Sequence, residues 1–262
     1  MAYFTGSIYS TALHMDTAVG VILPHDSRQH RGIDPLAGGR APRKRPRTLI
    51  LLHGLSDNFA AWATRSRILS YAEDFDVAVL MPEVQRSFYQ DMVNGEDYFT
   101  YVSRELPALA AELFNLSVDP EDLMVAGLSM GGYGALRCAL AAPDRFRAVG
   151  AFSGAVEIEG LTLRPADRKE TLGFAKVVRG IFGESPAVPE DARLDVLAER
   201  ARGTKLPVML TCGTEDALFP SNQRLFDRLK ALDYDVSFDY WPGVHEWGFW
   251  DKSVRMFLER HA

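Results

Sequence analysis

The chain is poor in cysteine, in long apolar runs and in basic charge, and each shortage removes a class of protein. It has two cysteines in 262 residues, Cys138 within ALRCAL and Cys212 within VMLTCG. Neither has CxxC spacing or a neighbouring histidine cluster. That excludes a disulfide-stapled scaffold and a zinc module, and both read as buried free thiols. No apolar run approaches the roughly 18 residues of a membrane span. A formal net charge of −6 argues against a nucleic-acid binder, which would carry a basic excess. The opening MAYFTGSIYSTALHMD lacks both the basic start and the continuous apolar stretch of an export signal, so the expectation is a cytoplasmic protein. Repeats, low-complexity tracts and interdomain linkers are missing too, which leaves a single domain over residues 1–262.

What is present is an ordinary core-forming composition, 47% hydrophobic and 24% charged, arranged with a clear rhythm. Eight short apolar runs stand out: FTGSIYST, TAVGVILP, TLILLH, VAVLMP, DLMVAGL, RAVGAFSG, PVMLTCG and DVSFDYW. From TLILLH onward each is followed by a segment of helical periodicity, the alternation that builds a parallel sheet covered by helices. The first two runs have no helix between them and read as an antiparallel pair at one edge. The expected fold is therefore α/β, a mostly parallel eight-stranded sheet with helices on both faces. Two stretches interrupt the rhythm. Residues 25–47, rich in Gly, Pro and base (Arg43, Lys44, Arg45, Arg47), read as a solvated excursion. Residues 157–204 are too long for a simple connection and read as an insertion placed to shape a pocket.

The segment DLMVAGLSMGGYGALRCAL contains Gly127-Leu128-Ser129-Met130-Gly131, a match to G-x-S-x-G. Alone the pattern is weak, but here it falls between a buried strand and a helix that stops before Pro143. A serine on such a turn is held with its hydroxyl above the sheet, and the residues two away must be small to avoid collision. Gly127 and Gly131 meet that need, and Gly132 and Gly134 are expected to let the helix lie close on the sheet. A phosphate cradle would require a different glycine pattern and a lysine, which are not there.

Serine needs a base to take its proton. Where a serine sits on a strand-to-helix turn of this G-x-S-x-G kind, the acid and then the base follow it in the chain, and of the histidines only His245 and His261 do so. His261 is penultimate, on an end expected to fray, so His245 in WPGVHEWGFW is the candidate base. The acid should stand just past a strand end, where CGTED offers Glu215 and Asp216. Asp216 is chosen for its shorter, stiffer side chain, with Glu215 in reserve. Two backbone amides should receive the oxyanion. One is Met130, directly after the nucleophile; the other is Leu55, aimed by the Gly54 turn in LILLHGLSDN. His53 reads as structural. Aromatic residues near the strand tips (Trp62, Phe88, Tyr89, Trp247, Phe249, Trp250) suggest an apolar, crowded pocket, with Trp62, Tyr89 and Trp247 as candidate substrate contacts.

With LLHGLSDNFAAW, DYFTYVSRELPAL, GLSMGGYGA, FSGAV, CGTED and GVHEWGFWDKSVRMFL in this order, the chain resembles the esterase D and tributyrin-type acetyl esterase group of α/β-hydrolases. That group lies close to carbohydrate esterase family 1, S-formylglutathione hydrolases, feruloyl esterases and the secreted mycolyl transferases. The resemblance implies the α/β-hydrolase fold and hydrolysis of short-chain acyl esters by Ser129, Asp216 and His245, with an oxyanion hole at Leu55 and Met130. It implies no metal or organic cofactor, a small-molecule ester as partner, and a homodimer. A thioesterase of the S-formylglutathione hydrolase type, or a feruloyl or acetyl-xylan esterase, would use the same residues.

Overall fold

The computed structural model describes residues 1–24, 45–162, 169–184 and 187–262. All eight expected runs are strands: β1 (Ala2–Ser10), β2 (Met15–Leu23), β3 (Arg47–Leu52), β4 (Val77–Pro82), β5 (Leu123–Leu128), β6 (Ala148–Phe152), β7 (Val208–Gly213) and β8 (Val236–Trp241). They form one sheet in the order β1-β2-β4-β3-β5-β6-β7-β8. β1 pairs antiparallel with β2, joined by a short turn between Ser10 and Met15. That connection is too short for the crossover a parallel pair needs. β2 is antiparallel to β4, and β4, β3, β5, β6, β7 and β8 run parallel.

The helices are α1 (Ala61–Arg65), α2 (Ile68–Asp74), α3 (Tyr98–Thr100), α4 (Leu106–Phe114), α5 (Met130–Ala141), α6 (Glu159–Thr162), α7 (Lys169–Phe182), α8 (Leu194–Arg200), α9 (Phe219–Ala231) and α10 (Trp247–His261). A π-helical turn at Tyr101–Glu105 joins α3 to α4. Alternate residues of each central strand enter different cores, as the two-residue period of a strand demands. Ile50 and Leu52 of β3 and Val125 of β5 pack with Leu136, Ala139 and Leu197 on the face covered by α5 and α8. Leu49, Leu51, Met124 and Ala126 pack with Ile68, Tyr71, Val254 and Phe257 on the face covered by α2 and α10. Both cores are sealed, so the parallel strands present their carboxyl ends as one accessible edge.

Two expectations need correction. Arg47 does not belong to the excursion: it opens β3, with its Nε 3.6 Å from Asp122 Oδ1. Arg43 and Lys44 lie outside the described residues, and Arg45 is exposed. His261 does not fray, because its carbonyl accepts from Arg147 Nε at 2.7 Å and its ring stands 5.0 Å from Phe257. Arg147 directly precedes β6, so His261 lies at the opposite end of the sheet from the residues that follow the strands.

The 157–204 stretch carries α6, α7 and α8, and residues 163–168 and 185–186 fall outside the described residues. Its described part is tied down. Val93 N–H donates to Ile181 O and Asn94 N–H to Gly180 O, each at 2.9 Å, and the Tyr133 hydroxyl on α5 donates to Ala192 O at 2.5 Å.

Candidate active site

Ser129 joins β5 to α5 with φ 52° and ψ −116°, a conformation that costs a side-chain-bearing residue on the order of 1–3 kcal/mol. Both of its backbone groups are used. Its N–H donates to Phe152 O at 2.9 Å, and its carbonyl accepts from Tyr133 N–H at 3.2 Å and Ala155 N–H at 3.0 Å. The neighbours two residues away are pinned by contact, as their small size leads one to expect. A Cβ on Gly127 would lie 2.5 Å from the Gly131 carbonyl, and one on Gly131 would lie 2.7 Å from the Leu52 carbonyl carbon. Gly132 packs on the end of β6 as expected. Gly134 does not pack on the sheet: a Cβ there would strike the Tyr89 ring. The serine thus caps a strand end and stands at the amino end of a 12-residue helix, whose free amides favour negative charge.

Three residues beyond β7, the Asp216 side chain is almost fully buried, 1% exposed against 38% for His245. His245 follows β8, and its Nδ1 is hydrogen-bonded to Asp216 Oδ2 at 2.7 Å. A carboxylate can only accept, so Nδ1 carries the proton and Nε2 keeps its lone pair. Burial alone would raise the Asp216 carboxyl. The His245 hydrogen bond, the Leu218 amide and the His245 charge outweigh it and hold the carboxyl below its ordinary value. The Leu218 N–H donates to Asp216 Oδ1 at 2.9 Å. Glu215 is turned elsewhere, its Oε2 accepting from Gly243 N–H at 2.6 Å. The helix that follows the His245 loop meets the end of β3 through aromatic rings. Trp247 stands 5.2 Å from Trp62, and Trp62 Nε1 donates to Leu52 O at 2.9 Å, the carbonyl against which Gly131 packs. Among the described residues the Ser129 hydroxyl has no hydrogen-bond partner; such bonds are commonly long until substrate draws them in.

The turn after β3 lies beside the serine, since a Cβ on Gly54 would be 3.8 Å from Ser129 Cβ. His53 is buried with both ring nitrogens committed. Nε2 accepts from Val84 N–H at 3.2 Å, so Nδ1 is the donor and bonds Gly54 O at 2.8 Å. Asp57 N–H also donates to Gly54 O, at 3.2 Å. In a trans peptide the N–H points opposite its carbonyl. Fixing Gly54 O therefore fixes the direction of the Leu55 N–H. Among the described residues neither this amide nor that of Met130 donates to a protein acceptor. A half-buried serine at a helix start, a hydrogen-bonded acid–histidine pair and the backbone amides beside the serine are the kinds of group that acyl transfer uses.

The comparisons with known proteins agree. The family model described as "Putative esterase" matches residues 10–258. The chain belongs to this esterase family. An acetyl esterase of Caldicellulosiruptor saccharolyticus is 30% identical over 99% of this chain and 97% of its own length. Among solved structures, the fluorophosphonate-binding serine hydrolase FphF of Staphylococcus aureus superposes with a TM-score of 0.87 at 27% identity, covering 99% of this chain and 98% of that one. The S-formylglutathione hydrolase FrmB of the same organism gives 0.83 at 26%, with the same coverage. The chain is a carboxylic ester hydrolase of the α/β-hydrolase fold.

The esterase's aromatics divide by burial. Trp62 and Tyr89 are wholly covered, Phe88, Phe249 and Trp250 nearly so, and Trp247 keeps part of its surface. Tyr89 spends its hydroxyl on His53 O at 2.9 Å, so its place is behind the Leu55 loop. Burial pushes Cys138 and Cys212 up to about 12, so neither thiol is a nucleophile. Sequence reasoning missed Ser153, buried directly after β6 with φ 47° and its hydroxyl without a hydrogen-bond partner among the described residues. Its signal was a Ser-Gly pair directly after a strand, in the same register as the Ser129 turn.

Proposed function

We propose that this esterase hydrolyses short-chain acyl esters, acetyl to butyryl, through a Ser129–Asp216–His245 triad and an acyl-enzyme. The observation that carries the reading is the 2.7 Å Asp216–His245 hydrogen bond on the segments that follow β7 and β8, in the same sheet whose strand β5 ends in a serine at φ 52°. His245 Nε2 takes the Ser129 proton as Oγ attacks the ester carbonyl, and the oxyanion lodges on the Leu55 and Met130 amides. His245 then protonates the leaving alcohol. Water, activated by the same nitrogen, releases the acid and restores Ser129. Asp216 keeps the imidazole in the tautomer that can accept and stabilises its cation.

Trp247, with Trp62 behind it, forms one wall for the acyl group, and Tyr89 supports the oxyanion loop from behind. The described part of the 157–204 stretch shapes the rest of the pocket of a single-domain enzyme. The net charge of −6 supports a small-molecule substrate over nucleic acid. No helix among the described residues is long and apolar enough to cross a membrane, which fits action in the cytoplasm, and the family resemblance supports a homodimer.

The likeness to FrmB over 99% of the chain favours one second reading, a thioester as the natural substrate. The test is a p-nitrophenyl ester series from acetate to decanoate, with the thioester of the best acyl group beside it and Ser129→Ala as control. Rates peaking at acetate to butyrate and lost by about 10,000-fold or more in the variant are expected. A peak at long chains overturns the acyl preference, and equal rates in the variant overturn the nucleophile.

A further inference from the structure

His245 stands in a loop that packing holds only in part. Its ring rests edge-on against Trp250 at 4.8 Å and Gly243 packs on Gly213, but Pro242, Val244, His245 and Glu246 are all exposed, so polar contacts carry much of the loop's positioning. Two of these converge on one residue. Glu215 N–H donates to Gly243 O at 3.0 Å, and Glu215 Oε2 accepts from Gly243 N–H at 2.6 Å. Both backbone groups of Gly243, two residues before His245, are thereby clasped by the residue next to Asp216. A third bond, Thr214 N–H to Trp241 O at 3.1 Å, continues the lacing toward the sheet. The backbone half of the clasp survives any side chain at position 215; the carboxylate half does not.

We propose that Glu215 is a positioning residue whose carboxylate holds the Gly243 amide and so sets His245 over Ser129. The adjacent acids take different parts: Asp216 orients the ring, and Glu215 anchors the backbone that carries it. This rests on His245 being the base. The function needs an acceptor oxygen at the Glu δ position, not a charge. Gln supplies that oxygen, while Ala removes it. Glu215 is exposed, so neither change disturbs the core.

The experiment compares E215A, E215Q and H245A with the parent on p-nitrophenyl acetate for kcat, KM and pH profile, and follows the Gly243 amide by hydrogen exchange. The expected result is a kcat lower by about tenfold or more in E215A at an unchanged KM, since small displacements of a reacting group are costly. E215Q should keep kcat within about threefold and keep the Gly243 amide protected, while E215A loses that protection. A parental kcat in E215A overturns the proposal. So does an E215Q as impaired as E215A with a displaced acid limb, which would assign the effect to charge. If E215A fails to fold, the E215Q rate and its Gly243 protection still decide. H245A separates the two readings: if it stays active the base assignment fails, whatever Glu215 does.

Discussion

The two halves of this site are held in opposite ways. Ser129 stands in a buried turn where glycines at 127 and 131 touch backbone and both of its own backbone groups are hydrogen-bonded. His245 stands in an exposed loop tied by side-chain hydrogen bonds through Asp216 and Glu215, with one ring contact to Trp250. The contrast suits the chemistry. The nucleophile must hold a strained backbone that only dense packing can enforce, whereas the base must move between serine, leaving group and water while keeping one anchor. It follows that crowding the turn of the first half should strike stability, whereas removing a polar contact of the second should strike rate more than folding.

The largest effect is expected at the elbow. Gly131→Ala drives a methyl into the Leu52 carbonyl and should cost about 3 kcal/mol or more, read as a fall in the denaturant midpoint or as insoluble protein. His245→Ala should lower kcat by about 10,000-fold or more while the chain still folds, its stability cost limited to the lost Trp250 contact and the unpaired Asp216 carboxylate. If the two swapped character, the comparison would break.

Asp216→Asn should cost about 1,000-fold or more in kcat, since the amide can turn its NH2 toward Nδ1 and select the wrong tautomer. The same variant sharpens the electrostatic side. The Asp216 carboxyl is held below its ordinary value, so its contribution to stability is fully present above the unfolded carboxylate range, about pH 4. That contribution is lost as pH falls through the lower folded value. Melting temperatures of parent and Asp216→Asn should therefore converge as the pH drops below about 4. The smallest effect belongs to Val244→Ser, a change on the exposed surface of the loop, which should leave stability within about 0.5 kcal/mol and kcat close to the parent's.

The same contrast explains what the sequence could disclose. Strands were legible because a sheet buried on both faces demands unbroken apolar runs, and TLILLH or DLMVAGL allow little else. The elbow was legible because its constraint is local: Gly127 and Gly131 meet each other across Ser129. Features set by distant partners were not legible. That β4 sits between β2 and β3 depends on crossovers. That Gly134 receives the Tyr89 ring, or that His53 turns the Gly54 peptide beneath the Val84 amide, depends on a loop remote in the chain. Glu215 and Asp216 are alike in sequence, and only the fold sends one carboxylate to His245 and the other to Gly243.

The most direct measurement is covalent capture with a p-nitrophenyl phosphonate, the modified residue located by peptide mass spectrometry in the parent and in His245→Ala. A single adduct on Ser129 that forms quickly in the parent and is nearly abolished in His245→Ala, with both proteins folded by circular dichroism, is the expected result. An adduct on another residue, or labelling of His245→Ala at the parental rate, would contradict the assignment of nucleophile and base.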